Sequence, residues 1–263
     1  MTSGAPPGDR PPRPTRRPGD LPPHRGRTAR YWLTQVLIRV LPRAFVRLRV
    51  EGTERWPRSA AIVCFNHLNW ADPIVLMGAV PARPWFHFFG PKEEDMMVGG
   101  RNRLMRWSGI SVPYWPGGRG LVEAARRVKA VLDDGAILAF AAEGRIHIGE
   151  RIVPPLSEGA AWFAIRNEVP LLPVAINGTS WLAFGRTVRI RVGEPIDSTA
   201  FEGRAGTAAL TALARVRLEE LLADFPERPA PGRFGRWLTE VFNEWTEGAR
   251  PPVGGTPSRL PHR

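Results

Sequence analysis

Three short runs of continuous apolar residues limit most strongly what this chain can fold into. They occupy residues 60–65, 136–140 and 171–176. Runs of this length, with Pro, Gly or Asn at their ends, are typical of parallel strands buried on both faces. Helical patterns separate the runs, and residues 120–134 give the clearest of them. The sequence therefore predicts a single α/β domain with a mostly parallel central sheet and helices on both faces.

The two ends of the chain have a different composition from its centre. Residues 1–27 contain Pro, Gly and Arg with almost no apolar groups, and residues 248–263 are again rich in Pro and Gly. Such segments bury too little apolar surface to offset the entropy that ordering would cost. We therefore predict a disordered basic tail at 1–27, the α/β domain at 45–247 and a second disordered tail at 248–263.

The segment at 28–44 predicts an amphipathic helix, which Pro42 is expected to end or kink. Apolar residues cover most of its surface. A polar, partly cationic stripe runs along it at every fourth residue: Tyr31, Gln35, Arg39 and Arg43. Two interpretations stay open. The helix lies on a membrane surface with its arginines toward the headgroups, or it packs on the protein core.

Charge and composition indicate the partners and the compartment. A net charge of +12 over 263 residues favours anionic partners such as an anionic membrane surface. The basic tails lack interleaved aromatic residues and any reader motif, so no nucleic acid is expected. The single Cys64 indicates a reducing compartment, and its place in an apolar run predicts a buried small side chain. With no signal-peptide pattern or bilayer-spanning run, we expect a cytoplasmic protein, peripheral on the inner face of the cell membrane.

The first apolar run leads into a turn that carries His67 and, five residues later, Asp72. In a continuous helix two side chains at this spacing would point about 140° apart. Asp72 and Pro73 instead predict the N-cap and first residue of a helix, so the turn can fold the His67 ring back onto Asp72. The carboxyl ends of strands in open α/β sheets are also where ligand sites form.

Two interpretations of this pair are possible. In the first, Asp72 fixes the tautomer of His67, and the Nε2 atom of His67 removes a proton from a substrate hydroxyl. In the second, Asp72 only caps the helix and His67 is a surface residue of the loop. The spacing alone does not decide between them.

Later blocks of the sequence favour the first interpretation. Residues 140–145 read Phe-Ala-Ala-Glu-Gly-Arg after a buried strand, residues 155–161 open a helix, and residues 169–179 contain Val-Pro-Leu-Leu-Pro-Val. In this order the set resembles the 1-acylglycerol-3-phosphate acyltransferase, or lysophospholipid acyltransferase, family. The motifs of that family are Asn-His-x4-Asp, a Phe-Pro-Glu-Gly block and a Val-Pro-(x)-x-Pro-Val block. The resemblance covers about residues 45–200.

The resemblance implies transfer of a fatty acyl group from a thioester, on CoA or acyl carrier protein, to a hydroxyl of a lysolipid. It implies no covalent acyl-enzyme, and we expect no further cofactor. His67 and Asp72 would be the catalytic pair. The candidate substrate-binding residues that match the motifs are Asn66, Glu143, Gly144 and Arg145. Arg145 would supply a cation for an acceptor phosphate. No metal site is expected, because His87 and His147 lack partners at a useful spacing.

Two departures from the family pattern leave the acceptor open. Ala142 stands where the family has Pro, and the block at 109–115 has no Arg in the usual place. Arg119 lies close behind that block and is the candidate substitute. An alternative function is therefore a non-catalytic, lipid-binding relative at a membrane surface. A serine or cysteine hydrolase is not indicated, because no Gly-x-Ser-x-Gly elbow is present and Cys64 lies inside a strand.

Overall fold

The computed structural model describes residues 24–92, 100–114, 118–147, 149–227 and 231–243. At its centre is a seven-stranded sheet, whose strands in chain order are β1 (Arg47–Glu51), β2 (Ala61–Phe65), β3 (Phe86–Lys92), β4 (Ser111–Tyr114), β5 (Ile137–Ala141), β6 (Leu171–Asn177) and β7 (Thr187–Val192). Across the sheet their order is β1-β7-β6-β2-β5-β3-β4. All neighbours are parallel except β6 and β7. The predicted α/β class and mostly parallel sheet are confirmed.

Helices cover both faces of this sheet. Within the described residues they are α1 (His24–Phe45), α2 (Asp72–Ala79), α3 (Gly100–Ser108), α4 (Gly118–Asp133), α5 (Gly159–Arg166), α6 (Gly203–Leu222) and α7 (Arg233–Asn243), with short 3-10 helices at Thr53–Arg55 and Ser198–Ala200. Helices α1, α2 and α3 pack together, and α5 packs with α6 over β2 and β6. Right-handed crossovers place these two groups on opposite faces. None of the described helices has the length and apolar character needed to cross a membrane.

The core is centred on β2, in which all five residues are buried, including Cys64 as predicted. Its neighbours β5 and β6 are continuous apolar runs as well, because a central parallel strand is covered by helices on both sides. Phe65 at the end of β2 pairs with Ala141 of β5 and Val174 of β6. The carboxyl ends of these three strands therefore meet at one edge of the sheet.

Helix α1 is longer than the sequence predicts. It begins at His24 and continues through Pro42 to Phe45, so residues 24–27 belong to the helix and not to a tail. Arg43 strengthens the last turn, because its guanidinium donates to the carbonyl oxygens of Arg39 and of Gly78 in α2. The remainder of the predicted tails, at 1–23 and 248–263, lies outside the described residues, as do residues 244–247.

The polar stripe of α1 faces the protein. Tyr31 is buried, and its hydroxyl oxygen accepts from Phe86 N at 3.0 Å and from Gln35 Nε2 at 2.8 Å. Arg39 donates to Val80 O at 2.8 Å. Of the two interpretations, packing on the protein therefore holds for this stripe, because Arg39 and Arg43 donate to main-chain carbonyl oxygens of the protein, although the Arg43 side chain is exposed. The apolar residues lie outward and are 45–63% exposed: Leu33, Val36, Leu37, Val40 and Leu41. We call these five the outer face of α1.

Two residue patterns predict arrangements that the structure corrects. The alternation of apolar and polar residues at 187–192 predicts an exposed or edge strand, but β7 lies between β1 and β6, and its alternate side chains are buried. The aromatic-rich helix face predicted at 234–245 is typical of core or lid packing, yet Phe234, Trp237 and Val241 are exposed. In both cases contacts distant in sequence decide the outcome, and periodicity does not report them.

Candidate active site

Asn66 extends the pairing of β2 with β6 by one residue. Its Oδ1 accepts from Ile176 N at 2.7 Å, and its Nδ2 donates to Ile176 O at 2.9 Å. The side chain is buried and does not line the pocket described below. It fixes the point at which His67 leaves the sheet. A role for Asn66 in substrate binding stays a prediction.

His67 and Asp72 are in contact across the turn formed by residues 67–72, which we call the His67 turn. His67 Nδ1 lies 2.9 Å from Asp72 Oδ2. The same oxygen accepts from Leu68 N at 2.6 Å and Asn69 N at 2.8 Å. Asp72 is the first residue of α2 rather than its N-cap, which is Ala71. Its carboxylate therefore holds the turn and the imidazole and does not cap the helix.

This contact assigns different roles to the two ring nitrogens of His67. A carboxylate only accepts hydrogen bonds, so Nδ1 carries the proton and Nε2 is left as the acceptor. The His67 side chain is 15% exposed, whereas that of Asp72 is fully buried. The ring can reach a ligand while its partner stays shielded from water.

Glu143 and His147 hold the main chain of His67 from two sides. Glu143 Oε2 accepts from His67 N at 3.0 Å, and His147 N donates to His67 O at 3.0 Å. The two side chains are buried together, with His147 Nε2 3.4 Å from Glu143 Oε1, although this contact lacks hydrogen-bond geometry. The structure thus gives Glu143 a contact with His67, and substrate binding by Glu143 stays a prediction. The Glu-x3-His spacing was the signal for His147, which sequence reasoning considered only as a metal ligand.

Glu150 is a third buried carboxyl, after Asp72 and Glu143, and the sequence did not single it out. It accepts from Gly178 N at 2.6 Å and from the Ser180 hydroxyl. Burial raises the pKa of Glu150 above its usual range, and the charge of Asp72 raises it further, while the two hydrogen bonds act in the opposite direction. Its partners lie about 30 residues further along the chain, which explains why local patterns do not reveal it.

A pocket of about 460 Å³ opens beside the His67 ring. Much of its wall is aromatic, and Phe89 lies at its centre. The Phe89 ring stacks on Phe140 with 4.5 Å between centroids and on Tyr114 with 4.9 Å. Met105 of α3 also contributes to the wall. A concave, largely apolar wall that includes the His67 ring suits a ligand that has both a hydrocarbon part and a reactive polar part.

Gly144 and Arg145 line the same pocket. Gly144 has a φ of +68°, in the left-handed region that favours glycine. The Arg145 Nε atom is buried and makes no hydrogen bond, and among the described residues no acid pairs with this guanidinium. A cation of this kind in a pocket suits an anionic ligand group. Arg119 is the second residue of α4, and its side chain lies outside the described part of the structure.

The main chain of Ala142, which stands where the family pattern has Pro, makes hydrogen bonds on both sides. Ala142 N donates to Phe65 O at 2.8 Å, and Ala142 O accepts from both Ser157 N and Ser157 Oγ. A proline at this position would lack the donor. The second departure, at 109–115, leaves Tyr114 on the pocket wall, while residues 115–117 lie outside the described residues.

Comparison with known proteins gives two findings. The model of the protein family described as Acyltransferase matches residues 47–177, which run from β1 to the end of β6 and include the His67 turn and Glu143. Among solved structures, the chain is similar to the crystal structure of the 1-acyl-sn-glycerophosphate (LPA) acyltransferase, PlsC, from Thermotoga maritima. That match has a TM-score of 0.59 and 22% identity, and it covers 76% of this chain and 83% of the other. At this identity it is the fold that the two share.

Proposed function

Because the chain belongs to the acyltransferase family, we propose that it transfers a fatty acyl group from a thioester to a hydroxyl of a lysophospholipid-type acceptor. The thioester is carried by CoA or by acyl carrier protein. The observation that carries this proposal is the 2.9 Å contact between His67 Nδ1 and Asp72 Oδ2, in a residue that lines the aromatic pocket. This contact leaves Nε2 as the nitrogen that can act as a base on a ligand in the pocket.

The proposed reaction is a direct transfer. His67 Nε2 accepts the proton of the acceptor hydroxyl while the hydroxyl oxygen attacks the thioester carbonyl carbon. The imidazolium that forms is stabilised by the Asp72 carboxylate. The tetrahedral intermediate then collapses, the carbon–sulfur bond breaks, and the proton on Nε2 passes to the departing sulfur. The products are an ester and a free thiol, and His67 is neutral again.

Different parts of the pocket suit the acyl chain and the anionic group of the proposed substrates. The aromatic wall around Phe89 and Phe140 suits a fatty acyl chain. Arg145, with its buried and unpaired Nε, suits an anionic group of the acceptor, such as a phosphate. Gly144 precedes it in a left-handed conformation, so the chain can bend tightly at the pocket rim.

We further propose that the protein works while bound to the inner face of the cell membrane. The outer face of α1 supports this, because monomeric proteins rarely leave an apolar stripe of that size uncovered. Helix α3 packs beside α1, and its Leu104 and Trp107 are exposed as well, while the neighbouring Met105 lines the pocket. The pocket would then open close to the lipids that supply its acceptor and receive its product.

Substitution of the base tests the chemistry. In the purified full-length chain, His67→Ala should lower acyl transfer from labelled acyl-CoA to a panel of lysolipids by about 10²–10⁴-fold, since a positioned general base is lost. Circular dichroism and the melting temperature verify that the variant is folded. Near-normal transfer by the folded variant would rule out His67 as the base. If the wild-type protein binds liposomes but consumes no thioester with any acceptor or donor, the non-catalytic alternative is favoured.

A further inference from the structure

Helix α7 carries three apolar residues on the side that faces solvent. Phe234, Trp237 and Val241 are 68%, 54% and 55% exposed. They are three and four residues apart, so they form one stripe along the helix. The rings of Phe234 and Trp237 lie 5.6 Å apart, which makes the stripe continuous at its start.

The inward side of α7 fixes this orientation. A Cβ atom on Gly235 would come within 2.9 Å of Leu182 O, so the helix approaches the β6–β7 loop as closely as glycine permits. Thr239 Oγ1 accepts from Leu182 N at 2.8 Å. One turn later, Asn243 Oδ1 accepts from Trp70 N in the His67 turn at 2.9 Å. Turning the apolar stripe inward would break these bonds, so the stripe faces outward as part of the fold.

The positive charges beside the stripe indicate that an anionic surface covers it. Arg233 and Arg236 are exposed beside Phe234 and Trp237, and aromatic residues flanked by arginine are typical of helices that lie among anionic headgroups. A second copy of the chain would bring these arginines against each other, which is unfavourable. The segment that follows, residues 244–263, is rich in Pro, Gly and Arg and has few large apolar side chains to offer.

The stripe also continues the surface assigned to α1. A cavity of about 240 Å³ lies between the two helices, with Phe45 of α1 and Leu238 and Phe242 of α7 in its wall. Phe184 of the β6–β7 loop is largely exposed, and its ring lies 5.9 Å from that of Phe45. Apolar side chains of α1, the β6–β7 loop and α7 therefore lie next to one another around this cavity, whose wall also includes Arg186.

We infer that α7 is a second docking helix, which lies in the headgroup region of an anionic bilayer beside α1. This inference rests on the proposed membrane-surface function and adds a second, separately testable point of attachment. A protein attached through α1 alone could still rotate about the axis of that helix. A second attachment through α7 would prevent this rotation and fix the tilt of the protein on the membrane. The Asn243–Trp70 bond places this second attachment directly next to the active-site pocket.

The single native cysteine makes a direct test possible. Cys64 is buried, and burial raises its thiol pKa to about 12, so it should not react with a maleimide. A Val241→Cys variant of the full chain then has one reactive thiol, which can carry an environment-sensitive fluorophore. Val36→Cys reports on the outer face of α1. Val216→Cys on α6, at the opposite face of the sheet, is the matched control.

With vesicles of phosphatidylcholine and phosphatidylglycerol, the labels at 241 and 36 should shift to the blue and be quenched by brominated lipid tails, while the label at 216 should not respond. Vesicles of phosphatidylcholine alone should produce much smaller shifts, because the arginines find no anionic partner. The double variant Phe234→Ser/Trp237→Ser should bind the anionic vesicles about tenfold more weakly. Val216→Ser should bind them like the wild type.

The possible failures are distinguishable. If the label at 36 responds and the label at 241 does not, α7 is no docking helix and the proposed membrane function stands. If neither responds while acyl transfer proceeds, both membrane assignments are wrong and the chemistry stands. A label at 241 that is already shielded without vesicles also overturns the inference. Shielding that depends on protein concentration points to a second copy, and shielding that does not points to the chain's own residues.

Discussion

The His67 turn and the outer face of α1 distribute polar and apolar groups in opposite ways. In the turn, the Asp72 carboxylate is fully buried and is held by two main-chain N–H groups and the His67 ring. On α1, five apolar side chains face solvent. Each arrangement is unfavourable for a protein alone in water. Local rules of this kind are broken mainly where function requires it, so the difference supports the two proposals, chemistry at the turn and docking through the helix.

The contrast between the His67 turn and the outer face of α1 fails if the turn is not needed for chemistry. The substitution Asp72→Asn tests this point and has the largest expected effect. The amide keeps the shape of the side chain but loses the charge that fixes the tautomer and stabilises the imidazolium. We expect kcat with a soluble short-chain thioester and acceptor to fall about 10²–10⁴-fold. Cosedimentation with anionic vesicles should not change. A folded variant with near-normal kcat would show that Asp72 has another role.

The proposed docking through the outer face of α1 is tested by the double variant Leu37→Ser/Leu41→Ser. The two changes remove apolar groups that would contact lipid, so binding to anionic vesicles should weaken about 10- to 100-fold. The melting temperature should fall only slightly, because both side chains are largely exposed in the free protein and serine is only a somewhat poorer helix former than leucine. Unchanged vesicle binding would remove α1 from the docking surface.

Tyr31→Phe is the matched control on the inner side of the same helix. The change leaves Phe86 N–H and the Gln35 amide without their shared acceptor. It should lower the free energy of unfolding by about 1–2 kcal/mol, since buried donors are left unsatisfied. Vesicle binding by the folded variant should equal that of the wild type. If instead Tyr31→Phe weakens binding as much as the serine pair does, the two faces of α1 are not functionally distinct.

Glu150 tests the buried side of the comparison through a smaller effect, the cost of placing a further charged group near the buried Asp72 carboxylate. Burial raises the pKa of Glu150 in the folded protein. As the pH rises above the ordinary glutamate pKa of about 4.3, the unfolded chain loses this proton first, so the Glu150 contribution to stability falls until the raised folded pKa is passed. The substitution Glu150→Gln removes this pH-dependent fall in stability, because glutamine does not ionise. The melting temperature of Glu150→Gln minus that of wild type should therefore be larger near neutral pH than at about pH 4. A difference that does not vary with pH would contradict the raised pKa.

Much of the sheet and the central contact could be predicted because they depend on neighbouring residues. Strands β2, β5 and β6 are continuous apolar runs, and their ends fall within a residue or two of the predicted ones. The glycine at 135, after the helical pattern of 120–134, predicts a C-terminal cap, and Gly135 has a φ of +72°. The His67–Asp72 contact needs only the six residues of the turn, so the sequence could show how the two side chains meet, although the spacing alone left the helix-cap interpretation open.

The orientation of α1 and α7 could not be predicted, because periodicity defines the stripes of a helix without defining which one meets the protein. Tyr31 faces inward because Phe86, 55 residues later, donates to it. Asn243 faces inward because Trp70, 173 residues earlier, donates to it. The position of β7 and the Glu150–Ser180 contact depend on the tertiary structure in the same way.

The paired hydrogen bonds of Asn66 with Ile176 have a consequence for the energetics of the proposed reaction. A side-chain amide here takes the place of a peptide group, so the proposed base follows directly from the fully buried central strand β2. The freedom of His67 to sample other orientations is then lost once, when the chain folds, and not again in every turnover. Such preorganisation lets the surrounding loops change with the acceptor while the reacting group keeps its place.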